Sequence, residues 1–204
     1  IEKDEDLLAL QEKFEITSLP SFEKKRVVFC VNGEESKPLH DLSVIESLRR
    51  DNRTIPAGFY PSLKLGSIIK HIEKNRYYVC LQPLCDSTRI IDSTSFLLLS
   101  VSEDNENFTH VIKYNNEYVF LKIKSAADLI STAIFEHCSD ERAIIPTMED
   151  SFLVYKAKDE FSDNPINFEW IAEFKIGVAS SIVNDVSSKI NRVGLDTFEW
   201  LRLK

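Results

Sequence analysis

Apolar positions at the start of the chain recur at helical spacing. Leu7, Leu8, Leu10 and Phe14 predict one face of a short acidic helix over about residues 2–14, and Pro20 breaks any helical continuation beyond it. Val27 to Val31 reads as a short strand ended by Asn32-Gly33. Asp41 can then cap a helix carrying Leu42, Val44, Ile45 and Leu48 as far as the polar stretch Asp51-Asn52-Arg53. Prolines and a glycine make Ile55-Pro56-Ala57-Gly58-Phe59-Tyr60-Pro61 a loop, and an aromatic one.

After Gly66 the period changes to that of strands. Ser67 to Ile72 and Arg76 to Leu81, joined at Lys74-Asn75, predict a hairpin of β-branched and aromatic residues. Phe96 to Val101 and Phe108 to Tyr114 follow, and Asn115-Asn116 leads into Glu117 to Ile123 as a second hairpin. In its second strand Val119, Leu121 and Ile123 form a wholly apolar face. Residues 125–136 carry alanines, leucine and isoleucine at helical spacing, while Phe152 to Ala157 and Phe168 to Phe174 read as strands. Beyond Gly177, the positions Val178, Ile182, Val183, Val186, Ile190 and Val193 mark an amphipathic helix. Gly194 sits where a left-handed cap would end it, and Asp196 can start a last turn with Phe198, Trp200, Leu201 and Leu203. The expected fold is α+β: a curved antiparallel sheet or small β-barrel with flanking helices and a C-terminal amphipathic helix packed into the core. No repeat or flexible linker divides the chain, so residues 1–54 are expected as a helical or linker portion packed on an α+β domain of residues 55–204, together one structural unit.

The 204 residues are 43% hydrophobic, enough for a core without a metal or disulfide staple. A formal charge of −8 makes nucleic acid an unfavoured partner. The apolar runs fall far short of the ~20 residues that span a bilayer, so no membrane partner is expected. Cys30, Cys80, Cys85 and Cys138 are too scattered for a disulfide framework, which points to free thiols and a cytoplasmic location. The chain opens on Ile1 and is expected to be a piece of a longer polypeptide.

Five scattered glycines supply no phosphate loop, and the four histidines lack chelating spacing, so neither a cofactor nor a metal is expected. The most singular segment runs from Tyr77 through Pro83 into Arg89, where a strand leads into a cluster of thiol, acid, hydroxyl and guanidinium groups. Gln82, Cys85, Asp86 and Arg89 are its candidate binding residues. Cys85 could act as a nucleophile with His110 or His137 as base, or Asp86 and Arg89 could form a polar binding pair. The simpler reading is a structural turn in which Cys85 packs, Asp86 caps and Arg89 pairs with it. Phe59 and Tyr60 are further candidates, although an aromatic between prolines more often anchors a loop to the core.

Three strings carry a resemblance: Ile55-Pro56-Ala57-Gly58-Phe59 through Gly66-Ser67-Ile68-Ile69, Cys80-Leu81-Gln82-Pro83-Leu84-Cys85-Asp86-Ser87, and Arg192-Val193-Gly194-Leu195-Asp196 through Glu199-Trp200-Leu201-Arg202. On these, roughly Ile55 to Lys204 resembles the C-terminal part of bacterial response-receiver proteins. The resemblance implies a receiver-like domain ahead of this region, a histidine-kinase-type ATPase encoded nearby and a role in phage defence, but no catalytic residue. The leading expectation is a non-enzymatic output or partner-binding module of a two-component-like protein, its partner the ATPase or its own receiver domain. The alternatives are a thiol-dependent enzyme using Cys85 and Asp86, and a small-barrel nucleic-acid-binding module.

Overall fold

The structure is a computed structural model that describes residues 37–137, 141–159 and 164–202, with side chains described over residues 39–190. The expected helix over residues 2–14, the strand at Val27 to Val31, Cys30, Cys138 and the side chains of Phe198 and Trp200 lie outside that description. The chain divides into two compact units, Ile1–Glu46 and Ser47–Lys204, eight residues before the expected boundary at 54.

Helix α1 (Lys37–Ser47) passes directly into strand β1 (Leu48–Asp51). The helix expected from Asp41 therefore starts earlier and loses Leu48, because Leu48 to Asp51 pair antiparallel with the end of a later strand and bury Leu48 and Asp51. Then come β2 (Ser67–His71), β3 (Arg76–Cys80), β4 (Thr94–Glu103), β5 (His110–Tyr114) and β6 (Glu117–Lys122). After these lie a 3-10 turn (Ala127–Leu129), β7 (Ile130–Phe135), β8 (Thr147–Glu149), β9 (Phe152–Asp159), β10 (Pro165–Phe174) and helix α2 (Ile176–Arg202).

Six strands close into an antiparallel barrel in the order β10, β2, β3, β4, β7, β9, with β9 returning to β10. Closure depends on two long strands. In β10, Pro165 to Glu169 pair with β9 on one edge, Phe168 to Glu173 pair with β2 on the other, and β1 continues the first edge at Ala172 to Phe174. In β4, Leu98 to Val101 pair with β3, Thr94 to Leu99 with β7, and Ser102 and Glu103 with β6. Both expected hairpins form, and their asparagines carry the positive φ that tight turns need: 49° at Asn75, 50° at Asn115 and 64° at Asn116.

Two expectations are corrected here. Residues 125–136 form a 3-10 turn and β7 rather than a helix. The β-branched Ile130, Thr132 and Ile134 favour strand, and β7 supplies the ladder between β4 and β9 without which the barrel stays open. At the end of the chain, α2 runs unbroken through Gly194 and Asp196, since a glycine inside a helix costs only ~1 kcal/mol and stops nothing by itself. Strand β8 was not expected; it pairs with β9 across a turn in which Asp150 and Ser151 take positive φ.

Trp170, Tyr155, Phe96, Phe135, Leu63 and Ile69 belong to one buried cluster, and the Tyr155 hydroxyl donates to the Pro61 carbonyl at 2.6 Å. The alternate positions Ile68, Val79 and Leu99 are equally buried, so these strands are covered on both faces. On α2, Ala179, Ile182 and Val186 are buried while Ile190 is exposed, so the described first half of the helix is part of the core. Gly66 is where this helix meets the barrel. Its φ is +83°, its N–H donates to the Cys80 carbonyl, its carbonyl accepts from Phe174 N–H, and an added Cβ would sit 2.8 Å from the Ala179 Cβ. Gly66→Ala is therefore expected to destabilise the chain by about 2–5 kcal/mol in denaturant unfolding. Adding Ala179→Gly should recover part of that loss; a Gly66→Ala protein as stable as the parent would refute the packing.

Candidate functional site

The strand pair β1–β10 organises the site. Successive residues of a regular strand point to opposite faces, but the register slips between Leu48 and Arg50, and this bulge brings Arg49 and Arg50 to the same carboxylate. That carboxylate is Glu173. Arg49 Nη1 lies 3.1 Å and Lys64 Nζ 3.2 Å from its Oε1, and Arg50 Nε lies 3.5 Å from its Oε2. The Glu173 side chain is only 4% exposed, and Oε2 has an ionic neighbour at that distance but no hydrogen bond.

Three cations thus face one buried carboxylate, leaving positive charge in excess. The cluster opens on a cavity of about 520 Å³ lined by Arg49, Lys64, Leu65, Leu84, Glu173, Phe174, Lys175 and Ile176. Lys175 adds a further cation, and α2 begins at Ile176, so the positive end of a helix dipole lies beside the mouth. Leu65, Leu84, Phe174 and Ile176 supply an apolar floor. Such a site can hold a carboxylate or phosphoryl group attached to an apolar body, through charge-assisted hydrogen bonds and contact with the floor.

The Gln82 to Arg89 segment is a turn. The Pro83 carbonyl accepts from the N–H groups of Asp86 and Ser87, and the Leu84 carbonyl accepts from the hydroxyls of buried Ser87 at 3.0 Å and of Thr88 at 3.3 Å. Its contribution to the cavity is Leu84. Gln82 is half-buried; Cys85, Asp86 and Arg89 are exposed, and none of the four lines the cavity. The Cys85 thiol donates to Asp86 Oδ1 at 3.3 Å, and among the described residues no ion pair joins Asp86 to Arg89. His110 stands edge-on to Phe174 at 5.1 Å, with burial holding it below the ordinary histidine range, while His137 Nε2 meets the Glu141 carbonyl. Neither histidine is brought to Cys85.

Phe59 and Tyr60 are 38% and 42% exposed, so they do not anchor their loop in the core. The Arg50 guanidinium lies 4.6 Å from the Phe59 ring centroid, and Phe59 lines a separate cavity. Sequence reasoning missed Arg49, Lys64, Glu173 and Lys175. The signal present was an acid, Glu173, one of two that interrupt the apolar run of β10.

The two described thiols differ in reactivity. Burial pushes the Cys80 thiol up to about 12, whereas Cys85 is exposed and free. Alkylation of the native chain at neutral pH should label Cys85 fully and Cys80 only after denaturation, as read by mass spectrometry of the peptides; equal native labelling would contradict the burial of Cys80.

Comparison of the chain with models of protein families, with curated proteins and with solved structures returns no match.

Proposed function

We propose that the barrel unit is a non-enzymatic partner-binding module that seats an acidic group of its partner in the pocket of Arg49, Lys64 and Lys175. The observation that carries this reading is the convergence of three cations on the single buried carboxylate of Glu173, beside an apolar floor. Charge is concentrated there against the trend of a chain whose formal charge is −8, and an apolar floor with a charged rim is the composition that protein contacts use. The resemblance to bacterial response-receiver proteins supplies the setting: a cytoplasmic two-component-like pathway in phage defence. The partner is then a histidine-kinase-type ATPase or the receiver domain of the same polypeptide.

Lys175 is exposed and Arg49 is the most exposed member of the cluster, so both can be changed while Arg50 and Lys64 still neutralise Glu173. Arg49→Ala combined with Lys175→Glu should reduce copurification of the full-length protein with the neighbouring ATPase, or with its own receiver domain supplied separately, by about tenfold or more. The melting temperature should stay within a degree or two of the parent. Asp86→Ala with Arg89→Ala should leave capture unchanged. Undiminished capture by the cation-depleted protein would contradict the proposal.

A further inference from the structure

The face of β4 that Phe96 and Leu98 turn into the core continues at Ser100 and Ser102, so the apolar filling of the barrel gives way to hydroxyls at that end. Ser100 is half-buried and Ser102 exposed. On β3 the same face passes from buried Tyr78 to exposed Arg76. The registers bring these positions together. Tyr77 pairs with Val101, which sets Arg76 across from Ser102, and on the other edge of β4 Ser102 pairs with Lys122.

A cavity of about 290 Å³ opens there, lined by Arg76, Lys122, Lys124, the two serines, Val101 and Leu129. No Asp or Glu lines it, in a chain that carries 33 acidic against 25 basic residues. Lys122 is already committed, its ammonium lying 2.5 Å from Asp104 Oδ2. Arg76 and Lys124 are not. Both are exposed, and among the described residues neither their charged groups nor the hydroxyls of Ser100 and Ser102 have a hydrogen-bond or ion-pair partner.

Two unpaired cations and two unused hydroxyls therefore line one small space, all of them reachable by a solute. Their charge matches a dianion, and donors arriving from β3, from β4 and from the segment after β6 suit the tetrahedral oxygens of a phosphoryl group better than the planar pair of a carboxylate. The space is small for a ligand cavity and admits little beyond that group, with Val101 and Leu129 offering apolar contact to a short carbon body. We infer that this cavity binds the phosphoryl group of a small soluble phosphate monoester. The Arg76 guanidinium takes two phosphoryl oxygens, Lys124 offsets the second charge, and Ser100 and Ser102 donate to the oxygens that remain. The site shares no lining residue with the pocket of Arg49, Lys64 and Lys175, so failure of either reading leaves the other standing.

Isothermal titration calorimetry of the intact chain tests it. The probes are glycerol 3-phosphate, glycerol, acetate, a short oligothymidylate without a terminal phosphate, and vesicles of phosphatidylcholine and phosphatidic acid in equal parts. Glycerol 3-phosphate should bind saturably, and glycerol and acetate at least about tenfold more weakly. Arg76→Gln combined with Lys124→Gln, two exposed changes, should weaken glycerol 3-phosphate binding by about tenfold or more and leave the melting temperature unaltered. Arg49→Ala combined with Lys175→Glu should bind it as the parent does. Several results would overturn the inference: no saturable binding of glycerol 3-phosphate at millimolar concentration, acetate or glycerol binding equally well, or the oligonucleotide or the vesicles binding while glycerol 3-phosphate does not. So would binding that survives the loss of Arg76 and Lys124, or that is abolished by the Arg49 and Lys175 changes instead.

Discussion

Strand β10 must satisfy backbone groups along both of its edges, and the barrel, the cavities and the seat of the terminal helix all depend on how it does so. Pairing with β9 and β2 closes the barrel, while β1 takes up the edge that β9 leaves at Ala172 to Phe174. Every interior position of β10 from Ile166 onward except Asn167 is buried, so its two acids, Glu169 and Glu173, are held where water cannot solvate them and must find partners within the fold. Each becomes the polar centre of a cavity. Gly66 extends the same logic to the terminal helix, because its lack of a side chain lets Ala179 approach the backbone that supports Phe174.

The two cavities differ in sign because of what β1 delivers. The bulge at Arg49 brings two guanidinium groups to Glu173, and Lys64 from the loop before β2 makes a third cation. Burying a carboxylate among cations is seldom a net source of stability, since desolvation offsets most of the attraction. Three cations exceed what one buried carboxylate needs, and the surplus faces an apolar floor at the head of α2. Glu169, by contrast, has a tyrosine hydroxyl as its hydrogen-bond partner and borders a cavity without a cationic lining. Arg50 touches both regions, as an ion-pair partner of Glu173 and as the cation over Phe59.

How far the sequence revealed this depended on whether the deciding interactions were local. The hairpins of β2–β3 and β5–β6 were legible because alternation and asparagine turns are properties of a few adjacent residues. β7 was not, because Ala133 and the alanines just ahead of the strand also fit a helix and only the gap between β4 and β9, distant in the chain, decides for strand. Nor was the break of α1 at Leu48, which is set by pairing with Phe174. For the sites, Phe59 was legible as an aromatic in a loop that turns on a glycine, although its exposure was not. Leu84 was reached only through its neighbours, and Cys85, Asp86 and Arg89 drew attention by chemistry that the fold leaves on an exposed turn. The cationic cluster joins residues more than a hundred positions apart through a bulge, and its only trace in the sequence is an acid interrupting an apolar strand.

Lysine footprinting of the chain mixed with the proposed partner, a histidine-kinase-type ATPase or a receiver domain, tests the central claim most directly. The acylation rate of each lysine would be measured by mass spectrometry with and without the partner. Lys64 and Lys175 should be protected on complex formation, while Lys122, Lys124 and Lys158 react at unchanged rates. Protection confined to those other lysines, with Lys64 and Lys175 as reactive in the complex as alone, would contradict the assignment of the Glu173 pocket as the partner's seat.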